Sequence, residues 1–271
     1  MDTIGFIRAQ WKNLPIVPTT QTCTGKTYII TGSNSGIGFE AVKHLVNLGS
    51  SRVIIAVRSI QKGQDAKARI DASTGRPEVT EVWQLDMSSY ESIRAFAKRA
   101  SSELSRIDGL VENATAALDR WTVSEGMETS ITVNVIGTPH IVVVTSGLGF
   151  TQPDFLDYAD KDVFEVLNTE GESPMEKRYS VTKLVQILAI RQLATMLPAS
   201  RTGVVLNLLN PGLCNTGLAK YGRITLRLQV RMFNALIGRT PEMGSRTILH
   251  SMFAGAESHG QYVSDCEIKD G

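Results

Sequence analysis

A chain of 271 residues, 42% hydrophobic and 20% charged, suits one large α/β domain with a substantial core. Its 28 basic and 27 acidic residues leave a net charge of +1, which gives no electrostatic basis for binding nucleic acid or an anionic membrane. Three scattered cysteines (Cys23, Cys214, Cys266) and four histidines in unrelated segments (His44, His140, His250, His259) argue against a disulfide framework and a metal site, and fit a reducing, cytoplasmic setting.

In chain order, residues 1–24 form an N-terminal arm carrying Phe6, Ile7, Trp11, Leu14 and Ile16. The arm lacks the basic start and long apolar core of a signal peptide. It reads either as a short helix packed on the domain or as a weak anchor on a membrane surface. No apolar stretch reaches the length needed to span a bilayer.

Residues 25–271 then read as a single domain. The run Lys26–Thr31 predicts a strand, followed by a glycine-rich turn and a helix with Phe39, Val42, Leu45 and Val46 on one face. Arg52–Val57 predicts a second strand, with a polar helix near Ile60–Ala72. A strand over Val79–Leu85, a helix over Tyr90–Leu104 and a strand over Gly109–Val111 come next. They are followed by a helix over Ser124–Val135, a strand over Ile141–Val144 and a helix over Tyr179–Leu197. Gly203–Leu209 and Gln261–Val263 are the last strands expected. Strands that alternate with helices and are apolar throughout predict a parallel sheet covered on both faces. Right-handed crossovers make it a doubly wound, Rossmann-type α/β fold.

The turn after the first strand reads Thr31-Gly32-Ser33-Asn34-Ser35-Gly36-Ile37-Gly38. Gly32 permits a tight exit from the strand, Gly36 lets backbone approach a pyrophosphate, and Gly38 lets the helix sit close to the sheet. The helix that follows offers free N–H groups and the positive end of its dipole to phosphate. Further on, Tyr179 and Lys183 stand at i and i+4 and so share one helix face. A nearby ammonium favours phenolate and lowers a tyrosine's pKa, which suits a general acid or base near neutral pH.

The pattern T-G-x-x-x-G-I-G resembles the cofactor motif of the short-chain dehydrogenase/reductase family. Arg58 follows the second strand where NAD-selective members carry an acid. A guanidinium grips a 2′-phosphate bidentately and a carboxylate repels it. Ser33 and Asn34 could add hydrogen bonds there, so NADP(H) is the expected cofactor. Asp86 resembles the aspartate that contacts adenine in the family, or else caps the next helix through Ser88 and Ser89. Asn113 and Ala114 are similar to the N-N-A-G strand end, with Glu112 replacing the first asparagine and Thr115 the glycine. Ser146 resembles the catalytic serine that polarises the substrate carbonyl. Asn134, in Val133-Asn134-Val135-Ile136-Gly137, resembles the helix asparagine that holds a water leading to the lysine. Pro211, Gly212 and Thr216 resemble the P-G-x-x-x-T segment that fixes the nicotinamide carboxamide.

The long interval between Ser146 and Tyr179, with Arg178 before the tyrosine, is similar to the retinol-dehydrogenase-like branch. Residues 218–243 match the substrate lid, where Tyr221, Leu226, Leu228, Met232, Phe233 and Leu236 either wall an apolar pocket or pack in a core. The resemblance implies an enzyme that interconverts a carbonyl and an alcohol on a small, apolar molecule, with Tyr179 as acid/base. Two departures accompany it. Gly137-Thr138-Pro139-His140 runs almost at once into Ile141, several helical turns early, and proline halts a helix. This shortens the helix that builds the family's homodimer and places Asn134 near its end. The chain also stops at Gly271, soon after its last strand. A catalytically impaired dinucleotide-binding protein, a sensor or an inactive copy, is the alternative reading.

Overall fold

The computed structural model describes residues 3–115, 123–124, 126–128, 142–151, 163–172, 174–218 and 224–269. Its first strand, β1 (Thr27–Thr31), is buried along its whole length. β2 (Arg52–Val57) and β3 (Thr80–Gln84) lie parallel on one side of it. β4 (Gly109–Glu112) lies parallel on the other. A small antiparallel pair, β5 (Val123–Ser124) and β6 (Met127–Glu128), stands outside this sheet. β7 (Val142–Val144), β8 (Asn207–Asn210) and β9 (Tyr262–Ser264) continue the sheet in parallel, and β10 (Glu267–Lys269) closes its edge antiparallel. The order is β10-β9-β8-β7-β4-β1-β2-β3. Strand order reverses between β1 and β4, and doubly wound sheets open a ligand crevice at such a point, beyond the carboxyl ends of the strands.

The helices are α1 (Thr3–Gln10), α2 (Thr20–Cys23), α3 (Gly36–Asn47), α4 (Ile60–Thr74) and α5 (Tyr90–Glu103). They continue with α6 (Val163–Asn168), α7 (Met175–Met196), α8 (Ala199–Thr202), α9 (Ile224–Ile237) and α10 (Pro241–Phe253). Val42, Leu45 and Val46 of α3 and Ile248 and Leu249 of α10 bury one sheet face over Ile30, Ile55, Val111 and Leu209. Ala100 of α5 packs with Ile29, Ile54 and Trp83 on the opposite face. Ile187 and Ile190 of α7 do the same over Val143 and Leu208. The doubly wound fold expected from the alternation is therefore present. Among the described residues no helix is long and apolar enough to cross a membrane.

Several elements differ from the sequence expectation, among them helices α6, α8 and α9, which it did not foresee. The helix expected from Ser124 does not start there, because Val123–Ser124 pairs with Met127–Glu128 in a hairpin that reverses at Gly126 (φ +77°). A glycine with positive φ suits a tight turn better than a first helical turn. The rest of that segment, with Asn134, lies outside the described residues. α10 was not expected. Its start is nonetheless marked, since the Thr240 side chain accepts the Met243 N–H and Pro241 occupies the first turn. β10 was not expected either. It follows a two-residue turn in which Asp265 and Cys266 both have φ of 58°. That is the geometry that lets two strands with native twist meet.

Candidate active site

The glycine turn is shaped by what approaches it. Gly32 has φ +63°, and a Cβ there would lie 2.9 Å from Ala114 Cα. A Cβ on Gly38 would lie 2.5 Å from Asn113 Nδ2, and one on Gly36 (φ +65°) 3.3 Å from Thr216 Cγ2. The first two glycines thus seat the end of β4, and Gly36 meets the segment that follows β8. Thr31 locks this junction. Its Oγ1 accepts the N–H groups of Asn113 (3.0 Å) and Ala114 (2.9 Å) and donates to Glu112 Oε2 (3.1 Å). The Asn113 amide donates to Thr31 O (2.8 Å) and Gly32 O (3.3 Å). Asn113 and Ala114 therefore brace the turn from below.

α3 begins in this turn, and Ser35, its N-cap residue, makes no side-chain capping bond. The first N–H groups of the helix are left for an anion. Ser35 is exposed, Asn34 half-buried, and Ile37 is sunk in the core as an anchor. Ser33 behaves differently from the sequence expectation. It is fully buried, and its hydroxyl donates to Ile30 O at 2.8 Å, so its proton is spent on the backbone. Arg58, one residue past β2, is exposed and forms no ion pair among the described residues. Asp86 Oδ1 accepts both the backbone N–H (2.9 Å) and the hydroxyl (2.6 Å) of Ser88. It thus orders the approach to α5, whose own N-cap is Ser89.

The other half of the crevice is made by the end of β7 and one face of α7. Ser146 follows β7 in the turn Thr145-Ser146-Gly147, and Tyr179 and Lys183 stand one turn apart on α7. The Ser146 hydroxyl stands near enough to the Tyr179 phenol to lower its pKa. Lys183 is 1% exposed; its Nζ donates to Val144 O at 2.9 Å and Gln186 Oε1 at 3.2 Å, and lies 5.8 Å from the centre of the Tyr179 ring. Close packing fixes this geometry, since a Cβ on Gly149 would lie 3.0 Å from Leu184 N. The electrostatics run against the sequence expectation. Burial pushes the Tyr179 phenol up to about 12, and only the nearby Ser146 hydroxyl pulls it down. Burial also pulls the Lys183 ammonium down to about 7. Desolvation of two neighbouring groups outweighs the pull of one on the other.

The segment after β8 completes the site. Pro211 is buried, Gly212 has φ +79°, and Thr216 rests against Gly36. Ser146, Tyr179 and Lys183 are thus brought together at one strand end, and Gly32, Gly36, Gly38, Asn113, Ala114 and Thr216 at its neighbours. Asn134 lies outside the described residues.

Comparison with known proteins gives this arrangement its family. A family model described as short chain dehydrogenase matches residues 26–225. The chain belongs to the short-chain dehydrogenase/reductase family. Members of this family are oxidoreductases, and so is this chain. The chain is 38% identical to the short chain dehydrogenase/reductase dmxR8 of Cryptosporiopsis sp. over 291 residues, covering 98% of this chain and 88% of the relative. It is 34% identical to the short chain dehydrogenase atnD of Emericella nidulans, covering 96% and 90%. An aligned stretch of 291 residues against a chain of 271 means that the relative carries positions this short-chain dehydrogenase/reductase lacks. Among solved structures, the fold is similar to a short-chain dehydrogenase from Sphingobium yanoikuyae in complex with NADPH (TM-score 0.60, 21% identity, 83% of each chain). It is also similar to the short chain dehydrogenase from Shigella flexneri (TM-score 0.66, 18% identity, 92% and 94%).

Sequence reasoning passed over several residues that organise this site. Glu112 and Thr31 hold the junction under the glycine turn, and Gln10 and Arg239 hold the segment after β8. Only Glu112 carried a signal, as an acid at an otherwise amide position of the motif.

Proposed function

We propose that this short-chain dehydrogenase/reductase interconverts a carbonyl and an alcohol on a small, apolar molecule with NADP(H). The observation that carries this reading is the Tyr179 phenol beside the Ser146 hydroxyl, with Lys183 on the same helix face, next to the crevice of the glycine turn. The turn fits a dinucleotide on its own evidence: an uncapped helix start and glycines at positions where a Cβ would strike neighbouring atoms. Bound there, the dinucleotide would supply or accept the hydride.

The protein's residues do the rest. The N–H groups that open α3 hold phosphate, with Gly32, Ser35 and Gly36 lining the approach. Asn34 and the exposed guanidinium of Arg58 take a 2′-phosphate, and the NADPH-bound relative from Sphingobium yanoikuyae favours the same cofactor. Asp86 stands toward the adenine end, and Pro211, Gly212 and Thr216 toward the nicotinamide end. Ser146 donates a hydrogen bond to the substrate oxygen, and Tyr179 gives that oxygen its proton in reduction or takes it in oxidation. Lys183 would bind the nicotinamide ribose and, with the cofactor in place, tune the phenol beside it. The exposed side chains Leu228, Met232, Phe233 and Leu236 of α9 favour an apolar substrate, and the interval from Ser146 to Tyr179 favours the retinol-dehydrogenase-like branch.

Two observations favour the alternative, a dinucleotide-binding protein with impaired catalysis. Positions present in relatives are missing here, and Lys183 spends its ammonium on Val144 O and Gln186. Both readings are tested by NADPH oxidation across a panel of aldehydes and ketones, beside NADPH-induced thermal shift. Turnover lost in Tyr179→Phe with the thermal shift retained supports the enzyme. A thermal shift without turnover, identical in Tyr179→Phe, supports the alternative.

A further inference from the structure

The segment after β8 is gripped from outside the region that the family model matches. Gln10, the last residue of α1, is 5% exposed. Its amide pairs with Leu213 as a strand would: Nε2 donates to Leu213 O at 3.1 Å and Oε1 accepts Leu213 N–H at 3.2 Å. Arg239, 3% exposed, reaches the same segment from the loop between α9 and α10. Its Nη1 donates to Pro211 O at 3.0 Å, and its Nη2 donates to Ala9 O and, at 2.5 Å, to Asp265 Oδ1. Its backbone bridges the segment too, with Arg239 N–H on Leu213 O (2.8 Å) and Asn215 N–H on Arg239 O (2.9 Å).

These two side chains explain Gly212. A Cβ at that position would lie 2.5 Å from Gln10 Oε1 and 2.7 Å from Arg239 Nη1, and its φ of +79° is one that only glycine adopts readily. From this clamp the chain runs four residues to Thr216, which rests on Gly36. Gln10 precedes residue 26, and Arg239 and Asp265 follow residue 225, the bounds of the matched model.

We infer that α1, through Gln10, and Arg239 are positioning elements for the nicotinamide end of the cofactor groove, setting the height of Pro211–Thr216 above the glycine turn. The inference rests on the dinucleotide reading above. It makes the N-terminal arm a working part of the binding site. Loosening the clamp should weaken contact with the nicotinamide half of the cofactor and leave the adenosine half untouched, because neither Gln10 nor Arg239 hydrogen-bonds Arg58 or the residues that open α3 among the described residues.

The test is calorimetric titration of the full chain with two probes, NADPH and adenosine 2′,5′-bisphosphate, which lacks the nicotinamide half. Gln10→Met keeps the bulk of the side chain and removes both hydrogen bonds. Gln10→Glu keeps the acceptor for Leu213 N–H and removes the donor, so it serves as a second variant should the first fold poorly. The expected result is a fall of about tenfold in NADPH affinity, the loss appropriate to a pair of neutral hydrogen bonds, with bisphosphate affinity unchanged. Unchanged affinity for both probes overturns the inference. An equal loss for both overturns it too, because a clamp that merely stabilises the fold would weaken both halves. Wild-type protein that binds neither probe removes the dinucleotide reading itself, which is a distinct outcome.

Discussion

Glu112 should give this protein a stability that falls as pH rises, and Glu112→Gln should abolish that fall. The carboxyl is 3% exposed at the end of β4, and its hydrogen-bond partner among the described residues is the Thr31 hydroxyl, which donates to Oε2. Burial pushes it from an ordinary 4.5 up to about 8. Between those values the folded state keeps a proton that the unfolded state has released. Stability is then full below pH 4.5 and is lost as pH climbs to about 8. The slope is about 1.4 kcal/mol per pH unit, which bounds the total at about 5 kcal/mol. Lys183, pulled down to about 7, releases a proton on folding and tilts stability the other way above that pH. The difference between wild type and Glu112→Gln cancels the lysine and isolates the acid. Urea unfolding from pH 5 to pH 8.5 should show near-equal stability at the acid end, with the variant ahead by at least about 2 kcal/mol at pH 8. Wild-type and variant curves that stay parallel across the range would falsify the assignment.

Other outcomes follow from the same geometry. Arg58→Glu should cut the preference for NADPH over NADH by at least about tenfold, since it replaces the cation proposed to grip the 2′-phosphate with a repelling carboxylate; steady-state kinetics with both cofactors reads this out. Tyr179→Phe should lower kcat by about 10²–10⁴ with little change in NADPH affinity, measured by turnover and titration. Absorbance titration near 295 nm should give the same phenolate signal in wild type and Tyr179→Phe up to pH 10, because the Tyr179 phenol, raised to about 12, is still protonated there. Gly38→Ala should weaken NADPH binding, because its Cβ would lie 2.5 Å from Asn113 Nδ2 and drive that amide off Thr31 O; retained affinity in a fluorescence titration would count against the described junction.

The parts of this molecule that were legible in its sequence are those set by neighbours along the chain. β1, the glycine turn and α3 form one continuous stretch, and so do Tyr179 and Lys183 on α7. The parts that were not legible depend on distant partners. Ser33 looks available to a ligand until the tight turn folds its hydroxyl back on Ile30 O. The sign of the Tyr179 shift depends on how deeply α7 is packed, which helical spacing does not reveal. Gln10 and Leu213 are 203 positions apart, beyond any local pattern. α10 is different: Thr240 and Pro241 mark its start, but the same stretch also resembles the end of the substrate lid.

The last hairpin has a consequence for how these molecules behave in a crowd. A sheet that ends on an unpaired strand invites a neighbour to add one more. Here the outermost strand carries charge: the Glu267 carboxylate, about half exposed, is met by the ammonium groups of Lys12 and Lys269. An arriving strand would have to strip water from that trio before any backbone pairing formed, so the β10 edge of the sheet discourages the addition of another strand.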